Sequence, residues 1–148
     1  MFVNHLKSQL ARNAAERKAG NERRRRQAET IQTILAARPA APVIVLGDMN
    51  DAPASARLQP FRDLGLIDAL TNPVEKGGPY PANDPDQPTT TAWTSRYKSG
   101  GPAQYELFDQ IWLSPDLAAK QNGAWILRRK SRAGDATDHD PAWVSLSL

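Results

Sequence analysis

Short apolar segments separated by polar or proline-rich stretches run along the chain, and their patterns predict several β-strands. The clearest is "PVIVLG" at residues 42–47, a β-branched run bounded by proline and glycine. That pattern is typical of a strand buried on both faces. Five further segments predict strands: "MFVNHL" at 1–6, "TTTAWTSRY" at 89–97, "ELFDQIWLS" at 106–114, "AWILRRK" at 124–130 and "PAWVSLSL" at 141–148.

Helical spacing appears in three places between these strands. The longest predicted helix begins after Asn21, which serves as the N-cap, because Gly20 is expected to break any earlier helix. Its buried stripe consists of Ala28, Ile31, Ile34 and Leu35. Residues 55–65 predict a short helix, and residues 115–120 predict one helical turn. The order β-α-β-α, followed mostly by strands, predicts an α/β fold with a β-sheet layer flanked by helices.

Length and composition limit the classes of protein that fit this pattern. A chain of 148 residues is enough for one domain, residues 1–148, with a core of ordinary size. The absence of cysteine excludes disulfides, thiolate zinc sites and thiol nucleophiles. No apolar run approaches the ~20 residues of a transmembrane helix. Residues 71–90 hold five prolines and two glycines, which predicts a long loop that is functional or mobile.

Positive charge is concentrated at the start of the chain. Residues 1–38 contain nine Lys/Arg and three Asp/Glu, whereas the whole chain has a net charge of +3. The run "RRRR" at 23–26 lies in the predicted long helix. Such a run favours either a phosphate-rich partner or a solvated helix face.

Polar side chains follow the buried strand in "VIVLGDMND", residues 43–51. Because residues i and i+2 of a strand share a face, Asp48 and Asn50 are expected to project together if the extended geometry continues that far. A carboxylate beside an amide is able to bind a hard cation, orient a water or donate to an oxyanion. The competing interpretation is a tight Asn-Asp turn that caps the next helix.

Three further groups of polar residues lie in or next to predicted strands. Asp138 and His139 precede the last strand in "TDHDP", where a histidine beside carboxylates suits a general base or a phosphate contact. Asp109 interrupts an apolar strand and is costly to bury alone, which makes His139 its expected partner. His5, the only other histidine, lies with Asn4 at the end of the first predicted strand, in "VNHLKS". A solvent-exposed polar turn remains the alternative for the "TDHDP" segment.

These motifs together resemble the endonuclease/exonuclease/phosphatase superfamily, which includes deoxyribonuclease-like enzymes. "VNHLKS" is similar to the strand that carries the first histidine of the family, and "VLGDMND" resembles its G-D-x-N motif. "LFDQIWLS" resembles the strand whose aspartate orients the second histidine, and "ATDHDPAWVSL" resembles the closing S-D-H motif with Thr137 in place of serine. The implied fold is the C-terminal half of a four-layer α/β/β/α sandwich.

The resemblance implies a metal-dependent hydrolase of phosphodiester or phosphate ester bonds, with a nuclease as the first expectation. By motif, His139 is the base or phosphate contact oriented by Asp109, and Asp48 positions the attacking water. Asn50 and His5 donate to the non-bridging oxygens. Asp48 and Asp138 are the expected ligands of Mg²⁺ or Mn²⁺, which needs few protein carboxylates. Trp93 and Tyr97 are able to stack on bases, although core packing is the competing interpretation.

The same resemblance covers only the C-terminal portion of the family fold, so the domain is expected to be truncated. A sandwich that lacks most of one sheet exposes apolar surface, which predicts self-association or a missing N-terminal half. Two alternatives to the nuclease stay open. One is a non-catalytic remnant that binds phosphate groups or nucleic acid without turnover. The other is a phospholipid or inositol phosphate phosphatase.

Overall fold

The computed structural model describes residues 1–38, 41–71, 73–77, 88–98, 100–128 and 137–147. They form a mixed α/β arrangement, which confirms the predicted fold class. The elements, in chain order, are β1 (Phe2–His5), α1 (Ala14–Ala36), β2 (Ile44–Asp48), a 3₁₀ turn (Ala56–Leu58), α2 (Gln59–Asp63), β3 (Ile67–Asp68), β4 (Val74–Gly77), β5 (Ser95–Tyr97), β6 (Gln104–Glu106), β7 (Asp109–Leu113), α3 (Pro115–Ala118), β8 (Gln121–Arg128) and β9 (Ala142–Leu146). Within these ranges no helix is long and apolar enough to cross a membrane.

The four-stranded sheet β1-β2-β7-β3 positions the polar strand ends. Strand β1 runs parallel to β2, and its register places His5 beside Asp48. Strand β7 runs antiparallel to β2, and its register places Asp109 beside the same aspartate. Three residues far apart in the sequence therefore meet at one edge of the sheet.

Gly47 allows β1 and β2 to approach each other at this edge. Its φ of +128° is one that side chains rarely permit, and an added Cβ would lie 1.9 Å from the carbonyl oxygen of Asn4. Glycine has no Cβ and tolerates this backbone conformation. The glycine in "VLGD" therefore has a steric role next to Asp48.

One face of this sheet is covered by α1 and α2. Val45 and Phe61 are fully buried there, and the Phe61 ring meets Trp112 edge-on at 5.6 Å between centroids. On the other face, Ile44 and Leu46 are only half-buried and line an apolar cavity of about 580 Å³ between β2, β7 and β9. The prediction that this strand is buried on both faces is therefore wrong for the second face. The expected self-association stays a prediction.

The long helix begins eight residues before the predicted start. Asn13, rather than Asn21, is the N-cap, and its side chain accepts from the Glu16 backbone N–H at 2.9 Å. The Glu16 carboxylate in turn accepts from the Arg12 backbone N–H, in the manner of a capping box. Gly20 lies inside the helix, since this cap and the packing of the following turns outweigh the cost of one glycine, roughly 1 kcal/mol.

The buried stripe of α1 also differs from the prediction at two positions. Ala28, Ile31 and Leu35 are buried as expected, whereas Ile34 is 42% exposed. Arg24 extends the stripe by one turn and is only 2% exposed. The arginine run at 23–26 therefore does not lie entirely on the surface of the helix.

The remaining strands form a three-stranded sheet β4-β8-β9 and a separate hairpin β5-β6. Of the strand predicted over 89–97, only the last part, Ser95–Tyr97, forms a strand in the structure, which is β5. Part of the expected loop 71–90 is strand β4, which pairs with β8 in parallel. Positions 72 and 78–87 of that loop lie outside the described residues.

Candidate active site

The most direct chemical pair in the site joins His139 to Asp109. Nδ1 of His139 lies 2.7 Å from Oδ2 of Asp109, and both side chains are partly exposed. Because a carboxylate only accepts hydrogen bonds, the proton of the neutral ring is assigned to Nδ1. Nε2 is then free to accept a proton. The backbone of His139 is fixed by a bridge to Ser95 and by donation to the Thr137 hydroxyl at 3.1 Å.

Surrounding carboxylates stabilise the charged form of His139. The hydrogen bond with Asp109 raises the pKa of His139 above its ordinary value, and burial opposes this shift. Negative charges on Asp109, Asp48 and Asp138 raise the same pKa further. The neighbouring carboxylates therefore favour the protonated, positively charged form of this ring.

A second histidine–carboxylate pair lies next to the first. Nε2 of His5 is 3.4 Å from Oδ2 of Asp48, with the histidine exposed and the aspartate largely covered. Burial raises the pKa of Asp48, and the hydrogen bond from the Asn50 N–H lowers it. The charge on Asp109 raises this pKa, whereas the two histidines lower it. Two carboxylates and two imidazoles therefore influence one another at this edge of the sheet.

Asn50 reaches the site by a different route from the one predicted. The extended geometry ends at Asp48, and Asn50 has a left-handed φ of +50°. The Asp48 Oδ1 accepts from the Asn50 backbone N–H at 2.8 Å, which makes a local turn. The Asn50 amide is buried and donates to the Leu6 carbonyl at 3.2 Å. The strand argument for a shared face is wrong, yet Asn50 lines the same cleft as His139.

Asp138 completes the group of six sequence-predicted residues. Its carboxylate is 69% exposed and lies 3.8 Å from Nε2 of His139. The structure thus places His5, Asp48, Asn50, Asp109, Asp138 and His139 in one connected region. Their chemical roles stay predictions.

A buried ion cluster behind the site was not predicted from the sequence. Asp51, directly after Asn50, accepts from Arg24 Nε at 3.0 Å and from Arg57 Nη2 at 2.8 Å. Burial raises the pKa of Asp51, but the hydrogen bonds from Arg57, Ser55 and Arg24 lower it below its usual value overall. The cluster holds helix α1 against the turn that carries Asn50. Its sequence signal is the position of Arg24, one helical turn before the apolar stripe.

A second buried pair supports the segment that carries His139. Arg128 Nη1 lies 3.1 Å from Oδ2 of Asp140, and both side chains are almost fully buried. The backbone N–H of Asp140 donates to the Thr94 carbonyl at 2.7 Å. The guanidinium of Arg128 also stacks over the Trp93 ring at 3.5 Å. Asp140 therefore pairs with an arginine and not with the neighbouring histidine, and no sequence pattern indicated that partner.

The described residues meet only part of what a divalent metal needs. Asp48 and Asp138 supply carboxylate oxygens of the kind that Mg²⁺ prefers. However, no group of three His, Asp or Glu side chains capable of holding a metal occurs within the parts of the chain that the structure describes.

The His139–Asp109 pair makes a prediction that requires no substrate. In Asp109→Asn the pKa of His139 is expected to fall towards about 6.5, because the ring loses its carboxylate partner. In the wild type the folded-state pKa of His139 is raised, so protonation of this ring stabilises the folded protein. That stabilisation is fully present below the unfolded-state pKa of about 6.5. It is lost as pH rises through the folded value.

NMR titration of the two histidine rings measures this pKa, and His5→Ala assigns the resonances. Asp116→Asn, on α3, is the matched carboxylate-to-amide control and is expected to leave the titration unchanged. An unaltered His139 pKa in Asp109→Asn would contradict the proposed pairing.

Comparison with known proteins finds one matching family model. A family model described as "Endonuclease/Exonuclease/phosphatase family" matches residues 7–139. No curated protein sequence matches the chain.

Solved structures share the fold at low sequence identity. The 3′ phosphatase NExo from Neisseria, bound to a product DNA hairpin, is 19% identical with a TM-score of 0.63, covering 99% of this chain and 60% of that one. An endonuclease/exonuclease/phosphatase from Bacteroides vulgatus is 20% identical, with a TM-score of 0.59 and coverage of 87% and 45%. Beta toxin from Staphylococcus aureus is 17% identical, with a TM-score of 0.58 and coverage of 98% and 51%.

These likenesses show the fold alone, and the chain spans 60% or less of each of the three solved chains. The family match covers most of the chain, from just after β1 to His139. It includes the turn after β2, strand β7 and the histidine that Asp109 contacts. The chain belongs to the endonuclease/exonuclease/phosphatase family.

Proposed function

We propose that this chain contributes the acid–base residues of a phosphate-ester hydrolase, with nucleic acid and phosphomonoesters as the two substrate classes to test. The observation that carries the proposal is the 2.7 Å contact between His139 and Asp109, next to Asp48. An oriented imidazole beside a carboxylate is a recurrent arrangement for moving a proton during hydrolysis.

The proposed chemistry is attack of water on phosphorus with departure of an alcohol. Asp48 orients the water, and His139 exchanges a proton through Nε2 while Asp109 holds Nδ1–H. The proton lost by the water is balanced by the proton gained by the leaving oxygen. His5 and the second amide hydrogen of Asn50 donate to phosphate oxygens as negative charge develops.

We also propose that turnover requires Mg²⁺ or Mn²⁺, with Asp48 and Asp138 as candidate ligands. A hard cation of this kind supplies Lewis-acid stabilisation of phosphate charge. It commonly takes only one or two carboxylates from a protein and the rest of its shell from water and substrate. Membership of the endonuclease/exonuclease/phosphatase family supports this expectation.

A phosphomonoester is the second candidate substrate, and the distribution of arginines favours it. Within the run at 23–26, Arg24 is buried against Asp51, while Arg25 and Arg26 pair with Glu22 on the helix surface. Three of the four arginines are therefore engaged inside the chain. The run supports the solvated-face interpretation more than a nucleic acid interface.

The solved relatives keep both classes of substrate open. NExo is described as a 3′ phosphatase and as a 3′-5′ exonuclease. Another structure is described as a mannosyl-6-phosphatase from Bacteroides thetaiotaomicron, at 16% identity and a TM-score of 0.52. We therefore extend to this chain only the shared phosphate ester chemistry.

The test compares plasmid nicking, bis-p-nitrophenyl phosphate and p-nitrophenyl phosphate, each with Mg²⁺ and with EDTA. We expect turnover of at least one ester in Mg²⁺, and we expect EDTA to reduce it to background until excess Mg²⁺ is restored. Turnover that survives EDTA would contradict the proposed metal requirement but would still support the proposed hydrolase activity. Phosphate binding without turnover of any ester would favour the non-catalytic alternative.

A further inference from the structure

The β5-β6 hairpin presents two chemically different faces. Directly paired residues of an antiparallel hairpin point to the same side, and successive pairs alternate. One face consists of the two outer pairs, Ser95 with Glu106 and Tyr97 with Gln104. The middle pair points to the opposite face, where Arg96 Nε donates to the Tyr105 hydroxyl at 3.1 Å. We call the first set the hairpin wall.

The hairpin wall borders the cleft that contains His139. All four of its residues line a cavity of about 430 Å³ together with Asn50, Phe108 and His139. Tyr97 is 52% exposed, so its ring is accessible from the cleft. By contrast, Trp93 is 1% exposed and packs edge-on against Tyr105, which confirms core packing for that residue.

Glu106 gives the hairpin wall an acceptor in a partly dehydrated position. Burial raises the pKa of Glu106, and the negative charge of Asp51 raises it further. Among the described residues, no hydrogen bond or ion pair to the Glu106 carboxylate is present. A carboxylate so placed repels phosphate and favours a ligand group that brings N–H or O–H donors.

The cleft also limits how many phosphates a ligand can carry. In the part of its lining that the structure describes, His139 is the one side chain able to become a cation, and lysine and arginine are absent. A nucleic acid strand requires several cationic contacts along its backbone. A single phosphate beside His139 is compatible with this lining.

We propose that the cleft binds one phosphate attached to a ring that carries hydroxyl or amino donors, as in a sugar phosphate or a mononucleotide. This proposal rests on the phosphate-ester hydrolase proposed above and specifies its substrate. The phosphate lies at His139, the ring stacks on Tyr97, and Glu106 accepts from a donor on the ring. Gln104 is able to offer an amide to the same group.

Calorimetric titration of the whole chain tests the proposal with three probes: glucose 6-phosphate, cytidine 5′-monophosphate and inorganic phosphate, in Mg²⁺ and in EDTA. We expect one or both ring phosphates to bind at least about tenfold more tightly than inorganic phosphate. The sugar and the nucleotide arms identify which ring is preferred. Phosphate release in the same samples gives the hydrolysis its own measurement.

The variants assign that preference to the hairpin wall. Glu106→Gln and Tyr97→Ala are each expected to lower the ratio of ring-phosphate to inorganic phosphate affinity by about tenfold. Asp63→Asn, which removes the same charge from the exposed end of α2, is expected to keep the wild-type ratio. Circular dichroism confirms that each variant is folded.

The outcomes separate the two proposals. The proposed ring subsite would be overturned, even if hydrolysis occurs, if wild-type protein binds ring phosphates and inorganic phosphate equally well. It would also be overturned if folded Glu106→Gln keeps the wild-type ratio of the two affinities. Ring-selective binding that depends on Glu106 supports the subsite even if no ester is turned over, in which case the hydrolase alone fails.

Discussion

Replacing His139 by alanine is expected to lower kcat by about 10²–10⁴-fold, the range that a positioned acid or base contributes. The reason is that His139 offers Nε2 to the cleft while Asp109 fixes its other nitrogen. The measurement is the initial rate of ester hydrolysis in Mg²⁺, with the full-length protein if the chain proves to be part of one. Because the ring is partly exposed, the melting temperature should change little.

His5→Ala is the matched comparison, since it removes the only other histidine. His5 is exposed and lies 3.4 Å from Asp48, so its loss should cost less than the loss of His139. Near-normal turnover in His139→Ala would rule out the assigned role. A larger loss in His5→Ala than in His139→Ala would reverse the roles of the two rings.

Replacing Arg24 by alanine is expected to lower the free energy of unfolding by about 3 kcal/mol. Removing one partner of a buried ion pair typically costs 3–5 kcal/mol. The low end applies because Arg57 still contacts Asp51. The loss also leaves the Lys7 carbonyl without the donor that reaches it at 2.8 Å. For a chain of this size the melting temperature should fall by on the order of 10 °C.

Arg26→Ala provides a control two positions along the same arginine run. Its side chain is exposed and contacts Glu22 on the helix surface. Exposed pairs contribute little, so the melting temperature should fall by at most about 2 °C. Equal effects of the two substitutions, measured by thermal unfolding at one pH and salt concentration, would show that Arg24 is not structurally special.

The sequence was most informative where a residue type conflicted with its surroundings. Asp109 is a carboxylate in an apolar strand, and its pairing with His139 could be predicted because such a group needs a partner. The register of β1, β2 and β7 then brings His5 and Asp48 to the same place. The cost of burying a charge and the alternation of side chains along a strand were therefore enough to predict the pairing of Asp109 with His139.

The parts that were missed depend on local geometry and distant partners. The left-handed turn at Asn50 arises from a hydrogen bond to Asp48, and the i, i+2 rule does not apply beyond the end of a strand. Gly20 alone predicts a break in the helix, but the Asn13–Glu16 cap starts α1 before it. The salt bridge of Asp140 depends on Arg128, which no local pattern connects to it.

The close approach at Gly47 has a consequence for how the two imidazoles are spaced. Since the backbone of Asn4 occupies the room that a side chain at this position would need, any larger residue must push β1 outward. His5 would move away from Asp48 with it, while His139, held by β7 and the C-terminal segment, would stay where it is. The distance between the two histidine rings therefore depends on the absence of a side chain at position 47, and even alanine there is expected to increase it.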